Sequence, residues 1–226
     1  KINGETVRTG AHAEYIVCDL SSNAGITGFM ERLKPYREKI THLINNAGFG
    51  WYGYFRDMPT GLAMEMIAVN VAAVASLSSF LMQGHRERSG NGKRLHIINI
   101  GSVVGRLPSQ GVAAYSASKA YVDTFTKSVQ REIRRKDGIR MSIVLPGATR
   151  SEFFNTSVKL EGGRKMPTHD SGIPVSRVVK AIVSCMRFPR NVLYVPFWLR
   201  MIPLFALLAG PLITLIGPLL LEKRRH

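Results

Sequence analysis

The chain has 226 residues, 45% of them hydrophobic, which is enough for one sizeable domain with a buried core. Its two cysteines, Cys18 and Cys185, exclude a disulfide framework and a cysteine-based metal site, so a reducing compartment is expected. The formal net charge of +16 could serve to bind an anionic lipid or an anionic substrate, or could simply belong to a solvated surface. The sequence has no nucleic-acid-binding motif, which argues against nucleic acid as a partner.

Short apolar segments alternate with longer helical segments, which predicts an α/β fold with a doubly wound parallel sheet covered on both faces. Strands are predicted at residues 14–18, 42–45, 95–100, 140–145 and 192–195. Helices are predicted at about residues 26–39, 62–83, 113–136 and 175–186, and residues 149–173 as a loop or short helical flap. The last helix carries an apolar stripe that should pack on the sheet: Val178, Val179, Ile182, Val183 and Met186.

Asp19 directly follows the first predicted strand. A carboxylate at the carboxyl end of a parallel strand faces the crevice in which open α/β sheets bind ligands. The alternative is that Asp19, Ser21 or Ser22 is the N-cap of the next helix.

The second predicted strand runs into Asn45-Asn46-Ala47-Gly48. Small residues here would let the backbone pass close to a bound ribose, and the alternative is a polar turn between strand and loop. Residues 49–55 are rich in aromatic side chains separated by glycine, so they either line an apolar pocket or pack the loop onto the core.

Asn70 interrupts an otherwise apolar helical segment. Asparagine is unfavourable inside a helix because its side chain competes for backbone hydrogen bonds. The residue therefore either has a functional role or is a buried asparagine satisfied by the backbone.

Ser102, Tyr115 and Lys119 form the most informative pattern. Tyr115 and Lys119 are four residues apart in a run of good helix formers, so they share one helix face. A free tyrosine has a pKa of about 10, and a neighbouring ammonium group lowers that pKa by stabilising the phenolate. Ser102 lies just past a predicted strand, where its hydroxyl could hold a substrate oxygen beside Tyr115. The pattern predicts proton transfer to or from an oxygen, and its alternative is a surface helix pair.

These motifs, in this order, resemble those of the short-chain dehydrogenase/reductase family over about residues 13–195. The resemblance rests on Cys18-Asp19-Leu20, Asn45-Asn46-Ala47-Gly48, Asn70, Ser102, Tyr115, Lys119 and the Pro146-Gly147 turn. It implies a single Rossmann-like domain with the catalytic residues Asn70, Ser102, Tyr115 and Lys119. It further implies cofactor contacts from Asp19, Leu20, Asn46, Ala47, Gly48, Tyr115, Lys119, Pro146, Gly147, Thr149 and Ser151.

The resemblance also assigns roles. Tyr115 would be the acid–base group, Ser102 would position the substrate oxygen, and Lys119 would lower the Tyr115 pKa and hold the nicotinamide ribose. Asn70 would bend its helix and hold a water that relays protons through Lys119, and Asp19 would bind the adenine amino group.

The implied activity is that of an NAD(P)-dependent oxidoreductase that interconverts a carbonyl and an alcohol. The implied cofactor is NADP or NAD, with NADP slightly favoured, and the implied assembly is a homo-oligomer. A non-catalytic binding protein that kept the fold, or an inactive fragment, is the alternative.

Members of this family begin with a strand, a glycine-rich turn and a helix that receives the cofactor pyrophosphate. Gly4 and Gly10 do not supply that turn, because no apolar strand precedes them. We therefore expect the sequence to be truncated by roughly 40–50 upstream residues, the size of a βαβ unit and a little more.

Residues 201–221 contain no charged side chain and would span about 30 Å as a helix. Pro203, Pro211 and Pro218 divide the segment, and basic residues flank it at both ends. This favours a monotopic or re-entrant membrane segment, and the alternative is a tail that caps the pocket or builds a dimer interface. We expect a domain of residues 1–196, a hydrophobic helical appendage of residues 197–226, a lipophilic substrate, and a cytoplasmic location with peripheral or monotopic membrane contact.

Overall fold

The computed structural model describes residues 12–86, 94–151, 153, 160–164 and 172–204. The strands are β1 (His42–Asn45), β2 (Leu95–Ile100), β3 (Ile139–Pro146), β4 (Thr149–Arg150), β5 (Ile173–Pro174) and β6 (Val192–Val195). The helices are α1 (Asn23–Leu33), α2 (Thr60–Ile67), α3 (Ala73–Arg86), α4 (Ala113–Glu132) and α5 (Val175–Arg187). A π-helical turn, Ala68–Ala72, joins α2 to α3.

Four strands form a parallel sheet in the order β1-β2-β3-β6. Four of the five predicted strands are thus confirmed, within a residue of their predicted ends. Asn45 pairs with Asn99, and Ile100 with Val144, so the carboxyl ends of the neighbouring strands meet at one edge. That edge is where an open α/β sheet binds its ligands.

The central strands β2 and β3 are apolar on both faces because helices cover both. Ile98 and Val144 pack against Val178 and Cys185 of α5. The alternating residues of the two strands pack against α3 and α4 on the opposite face. The doubly covered sheet predicted from the sequence is therefore confirmed.

A buried polar network crosses the face that carries α3 and α4. The Asn45 amide donates to Asn99 Oδ1 (2.8 Å) and to Ser78 Oγ (3.2 Å). The Asn99 amide in turn donates to Thr126 Oγ1 (2.8 Å) on α4. Because buried polar groups are costly unless paired, this network fixes both strands and both helices in one register.

The strand predicted at residues 14–18 is wrong for this structure. Residues 12–20 are irregular, and Tyr15 and Val17 are 89% and 77% exposed. A strand forms by pairing, and no described strand lies beside this segment. Instead Arg32 of α1 donates to the Val17 carbonyl (2.8 Å).

Two predicted helices end earlier than expected. α1 stops at Leu33 because Pro35 cannot continue its hydrogen bonds, and a single 3₁₀ turn follows. α4 stops at Glu132, and a 3₁₀ turn, Arg135–Asp137, leads to Gly138. Gly138 has φ 65°, a left-handed conformation that favours glycine, so the chain reverses there into β3.

The apolar stripe of α5 packs on the sheet only in part. Val178 is buried and Ile182 partly buried against the sheet, whereas Val179 and Val183 are 49% and 41% exposed. The predicted loop at residues 149–173 contains a two-residue parallel pairing of β4 with β5. Its residues 152, 154–159 and 165–171 lie outside the described residues.

One described helical stretch, Thr60–His85, is long and apolar enough to cross a membrane. Its apolar side chains Met66, Val74, Leu77 and Leu81 are buried in the core of the domain. Residues 205–226, most of the predicted appendage, lie outside the described residues, so the division at residue 196 stays a prediction.

Candidate active site

A cavity of about 580 Å³ opens at the carboxyl ends of β1, β2 and β3. Three of the four predicted catalytic residues line it: Ser102, Tyr115 and Lys119. The predicted cofactor residues in its wall are Asn46, Ala47, Gly48, Pro146, Gly147, Thr149 and Ser151. Residues far apart in sequence thus share one cleft because their strands end at one edge.

Ser102 begins the turn that follows β2. Its Oγ accepts a hydrogen bond from the Val104 backbone (3.3 Å) and so caps a 3₁₀ turn, Val103–Arg106. The side chain also forms a hydrogen bond with Tyr115. The hydroxyl therefore lies beside the Tyr115 phenol, as the sequence predicts.

Tyr115 lies in the first turn of α4 and is only 7% exposed. Burial raises the Tyr115 pKa to about 12, and the hydrogen bond from Ser102 works in the opposite direction. The lowered pKa expected from Lys119 is not found, because burial outweighs the other influences on the phenol. Tyr115 is consequently protonated at neutral pH and can donate a proton to a developing alkoxide.

Lys119 lies one helical turn after Tyr115. Its ammonium group is 5.9 Å from the centroid of the Tyr115 ring and donates to the Ile100 carbonyl (2.9 Å). Burial lowers the Lys119 pKa to about 8, which leaves it mostly charged at pH 7. A buried cation facing one end of a cleft favours negative charge there.

Asn70 lies in the π-helical turn, fully buried. Its Oδ1 accepts from the Phe49 backbone N–H (3.1 Å), and its amide donates to the Phe49 carbonyl (3.0 Å) and to Ser118 Oγ (3.0 Å). These bonds tie the loop after β1 to α4 and satisfy the side chain. The role of Asn70 in a proton relay stays a prediction.

Gly48 separates Asn70 from the cleft. A Cβ on Gly48 would lie 2.8 Å from Asn70 Oδ1 and 3.6 Å from Lys119 Nζ. A side chain at this position would therefore force Asn70 or the loop to move. Because Gly48, Asn70 and Lys119 lie this close together, position 48 needs a residue without a side chain.

Asp19 and Leu20 lie apart from the cleft walls. The Asp19 carboxylate accepts from the Ser21 N–H (2.8 Å) and the Ser21 hydroxyl (3.0 Å), and the Ser21 N–H bond chiefly lowers the Asp19 pKa. Ser22 is the N-cap of α1, since its Oγ accepts from the Gly25 N–H (3.1 Å). Asp19 thus stabilises a turn before α1, and its role in adenine binding stays a prediction.

The aromatic segment after β1 mostly packs the core. Trp51 and Tyr52 are 3% and 7% exposed, in a cluster with Met66 and Tyr115. Trp51 Nε1 donates to the Glu161 carbonyl (3.1 Å), which fixes the described residues 160–164 on this segment. These contacts favour the alternative in which residues 49–55 pack the loop onto the core. Phe153, from a different part of the chain, packs on the Tyr115 ring at 5.4 Å between ring centroids and lines the cleft.

Two features of the site had no clear sequence signal. The first turns of α5 add an apolar wall through Val175, Val178, Val179 and Ile182. In the sequence, the apolar stripe of this helix indicated only that the helix packs on the sheet.

The second feature is an ion-pair network behind Ser102. Arg106 donates to both Asp123 oxygens (2.8 and 3.0 Å), and Lys127 donates to Asp123 Oδ2 (2.7 Å). The turn also packs tightly on α4, since a Cβ on Gly105 would lie 2.6 Å from the Lys119 carbonyl carbon. The network therefore holds the Ser102 turn against the helix that carries Tyr115 and Lys119.

Comparison with known proteins agrees with this geometry. The sequence matches the short chain dehydrogenase family over residues 1–161. It is 28% identical over 181 residues to a 3-oxoacyl-(acyl-carrier-protein) reductase, FabG, of Chlamydia pneumoniae, covering 77% of this chain and 71% of that protein. It spans about half the length of several other curated relatives of that name, 54% in the case of the Escherichia coli (strain K12) protein.

Two solved structures share the fold. A short-chain dehydrogenase from Sphingobium yanoikuyae in complex with NADPH has a TM-score of 0.74 at 27% identity, covering 95% of this chain and 79% of that one. A bulky-bulky ketone specific alcohol dehydrogenase from Comamonas testosteroni has a TM-score of 0.67 at 26% identity, covering 85% and 69%.

The fold and the family match place the chain in the class of NAD(P)-dependent oxidoreductases. Within that class, the chain belongs to the short-chain dehydrogenase family.

Proposed function

We propose that the protein interconverts a ketone and an alcohol with NADP or NAD, with Tyr115 as the acid–base group. The observation that carries the proposal is the shared cleft, in which the buried Tyr115 phenol lies beside Ser102 and on the helix face of Lys119. The hydride would come from the nicotinamide, which is the part of the reaction that side chains cannot supply.

The protein would manage the proton. Ser102 would hold the substrate oxygen next to the Tyr115 hydroxyl, which donates its proton as the carbonyl oxygen gains charge. Lys119 would stabilise the tyrosinate left behind, since a positive group nearby favours the charged form. Because burial raises the Tyr115 pKa to about 12, the phenol is the weaker acid for it, and Lys119 and Ser102 would have the task of stabilising the tyrosinate as the proton leaves.

The cofactor would enter along the loops after β1 and β3. Asn46, Ala47 and Gly48 offer a small-residue path, and the turn from Pro146 to Ser151 would cover the nicotinamide. NADP is slightly favoured over NAD, and the complex of the Sphingobium protein with NADPH is consistent with that preference.

The walls of the cleft support a lipophilic substrate. Apolar side chains from three parts of the chain face it, including Val104, Val112, Phe153, Val175 and Val179. An apolar lining with a few polar groups at one end is typical of sites that hold apolar ligands in a fixed orientation. The substrate would therefore be a ketone or alcohol with bulky apolar groups.

The remaining proposals concern location and assembly. We propose a cytoplasmic homo-oligomer that contacts a membrane surface peripherally or as a monotopic protein. Phe197 and Trp198 are both 66% exposed just before the charge-free residues 201–221, and aromatic side chains of this kind favour membrane interfaces. Fractionation of the full-length protein with cell membranes, lost when residues 197–226 are removed, is the expected result.

The direct test is a turnover assay of the full-length protein with NADPH and NADH against aryl and alkyl ketones of increasing size. We expect faster turnover of bulky apolar ketones than of small polar ones. Fluorescence titration of both cofactors would run in parallel. A protein that binds neither cofactor would favour the non-catalytic alternative.

A further inference from the structure

A second cavity lies at the opposite end of the sheet from the active site. It measures about 370 Å³ and is bounded by the end of α4, the start of β3 and the loop before β6. β3 has eight residues, so this groove and the cleft are separated by roughly 20 Å along the strand. A ligand in the groove would not contact Tyr115.

Arginines dominate the rim of this groove. Arg94, Arg134, Arg135 and Arg140 all line it, and no described carboxylate does. Arg134 contacts the nearby Asp137 at 3.9 Å, whereas Arg94, Arg135 and Arg140 have no ion pair with a described residue. Like charges held around one concavity repel each other, and a bound anion would relieve that repulsion.

The backbone that holds these arginines is well fixed. The Leu95 N–H donates to the Gly138 carbonyl (3.0 Å), which joins the start of β2 to the turn after α4. The Gln130 amide donates to the Met141 (3.0 Å) and Asn191 (2.8 Å) carbonyls, which joins α4 to β3 and to the loop before β6. The groove thus has a rigid frame with long cationic side chains around it.

Asp137 offsets at most one of the four arginine charges, that of Arg134. Its carboxylate accepts from the Arg134 backbone N–H (2.7 Å) and caps the turn. The adjacent His96 adds no charge, because burial, His42 and Arg140 lower its pKa to about 4. The groove is therefore cationic throughout the physiological pH range.

We propose that this arginine groove binds a ligand that carries phosphate groups. Guanidinium groups present paired N–H donors that match phosphate oxygens, and several of them around one cavity suit two or more phosphates better than a single carboxylate. The same chemistry is offered by a free polyphosphate compound and by a phosphoinositide headgroup. The site is independent of the proposed oxidoreductase activity.

The test is calorimetric titration of the full-length protein with inorganic pyrophosphate at constant ionic strength. A double variant, Arg135→Gln with Arg140→Gln, removes two rim charges that have no ion pair within the described part of the chain. The matched control, Arg177→Gln with Lys180→Gln, removes two exposed charges from α5. Circular dichroism would verify that both variants fold.

We expect saturable binding that the rim variant weakens at least about tenfold and the control leaves unchanged. Sedimentation with phosphatidylcholine vesicles, with and without phosphatidylinositol bisphosphate, identifies the source of the phosphate. Vesicle binding lost in the rim variant points to a lipid headgroup, and pyrophosphate binding alone points to a soluble ligand. No saturable binding of either probe, or equal loss in both variants, would overturn the proposal.

Discussion

The two ends of the sheet use positive charge in opposite ways. At the carboxyl end, Lys119 is 5% exposed and its pKa is shifted by burial. At the amino end, the arginines of the groove are exposed. A buried charge alters stability and the chemistry of its neighbours, whereas an exposed charge acts chiefly on ions that approach it. This contrast makes separate predictions for the two ends.

The largest stability effect is expected at Asp123. Its carboxylate is 9% exposed and pairs with Arg106 and Lys127. Asp123→Ala would leave these two cations without their carboxylate, so we expect a loss of about 3 kcal/mol in the free energy of unfolding. Urea unfolding measures this loss. Asp57→Ala is the control, because Asp57 is 40% exposed and its ion pairs are long at 3.7 Å. A loss at Asp123 no larger than that at Asp57 would contradict the buried network.

A smaller effect is expected in the pH dependence of stability. The Lys119 pKa is about 8 in the folded chain and about 10.4 in the unfolded chain, so between these pH values the unfolded chain binds more protons at Lys119. The contribution of Lys119 to the free energy of unfolding therefore increases as the pH rises through this range. We expect wild type to gain about 1 kcal/mol from this group between pH 7 and pH 9. The comparison is urea unfolding of wild type, Lys119→Met and the exposed-site control Lys180→Met at both pH values. Lys119→Met should lose the gain and Lys180→Met should keep it; an unchanged gain in Lys119→Met would argue against the buried cation.

The smallest effect is expected at the amino end. Arg135→Gln should change the free energy of unfolding by less than about 0.5 kcal/mol, because the side chain is exposed and has no ion pair with a described residue. Thermal unfolding in low-phosphate buffer measures this. A marked loss of stability would mean that the groove arginines serve the fold, and the contrast between the two ends would fail.

Most of the sheet could be predicted from the sequence, since short apolar runs between helical segments are typical of strands covered on both faces. The catalytic part of the cleft could also be predicted, because the residue types of Ser102, Tyr115 and Lys119 and the spacing between them already indicate proton transfer. The strand at residues 14–18 could not be judged, since a strand depends on a partner that local sequence does not reveal.

Other features depend on contacts between distant segments. The pairing of Arg106 with Asp123 follows from how the turn after β2 packs on α4, and neither residue belongs to a periodic pattern. The arginine groove likewise depends on strand register, which brings Arg94 beside the start of β3. The Tyr115 pKa was expected to fall and instead rises, because the sequence shows a nearby lysine but not the depth of burial.

The central claim is that Tyr115 transfers the proton. The most direct test is NADPH-dependent ketone reduction by the full-length protein, by Tyr115→Phe and by Tyr121→Phe, which alters an exposed tyrosine of the same helix. We expect Tyr115→Phe to lower kcat by about 10²–10⁴-fold with cofactor binding retained, and Tyr121→Phe to match wild type. Equal kcat values for Tyr115→Phe and wild type would contradict the account.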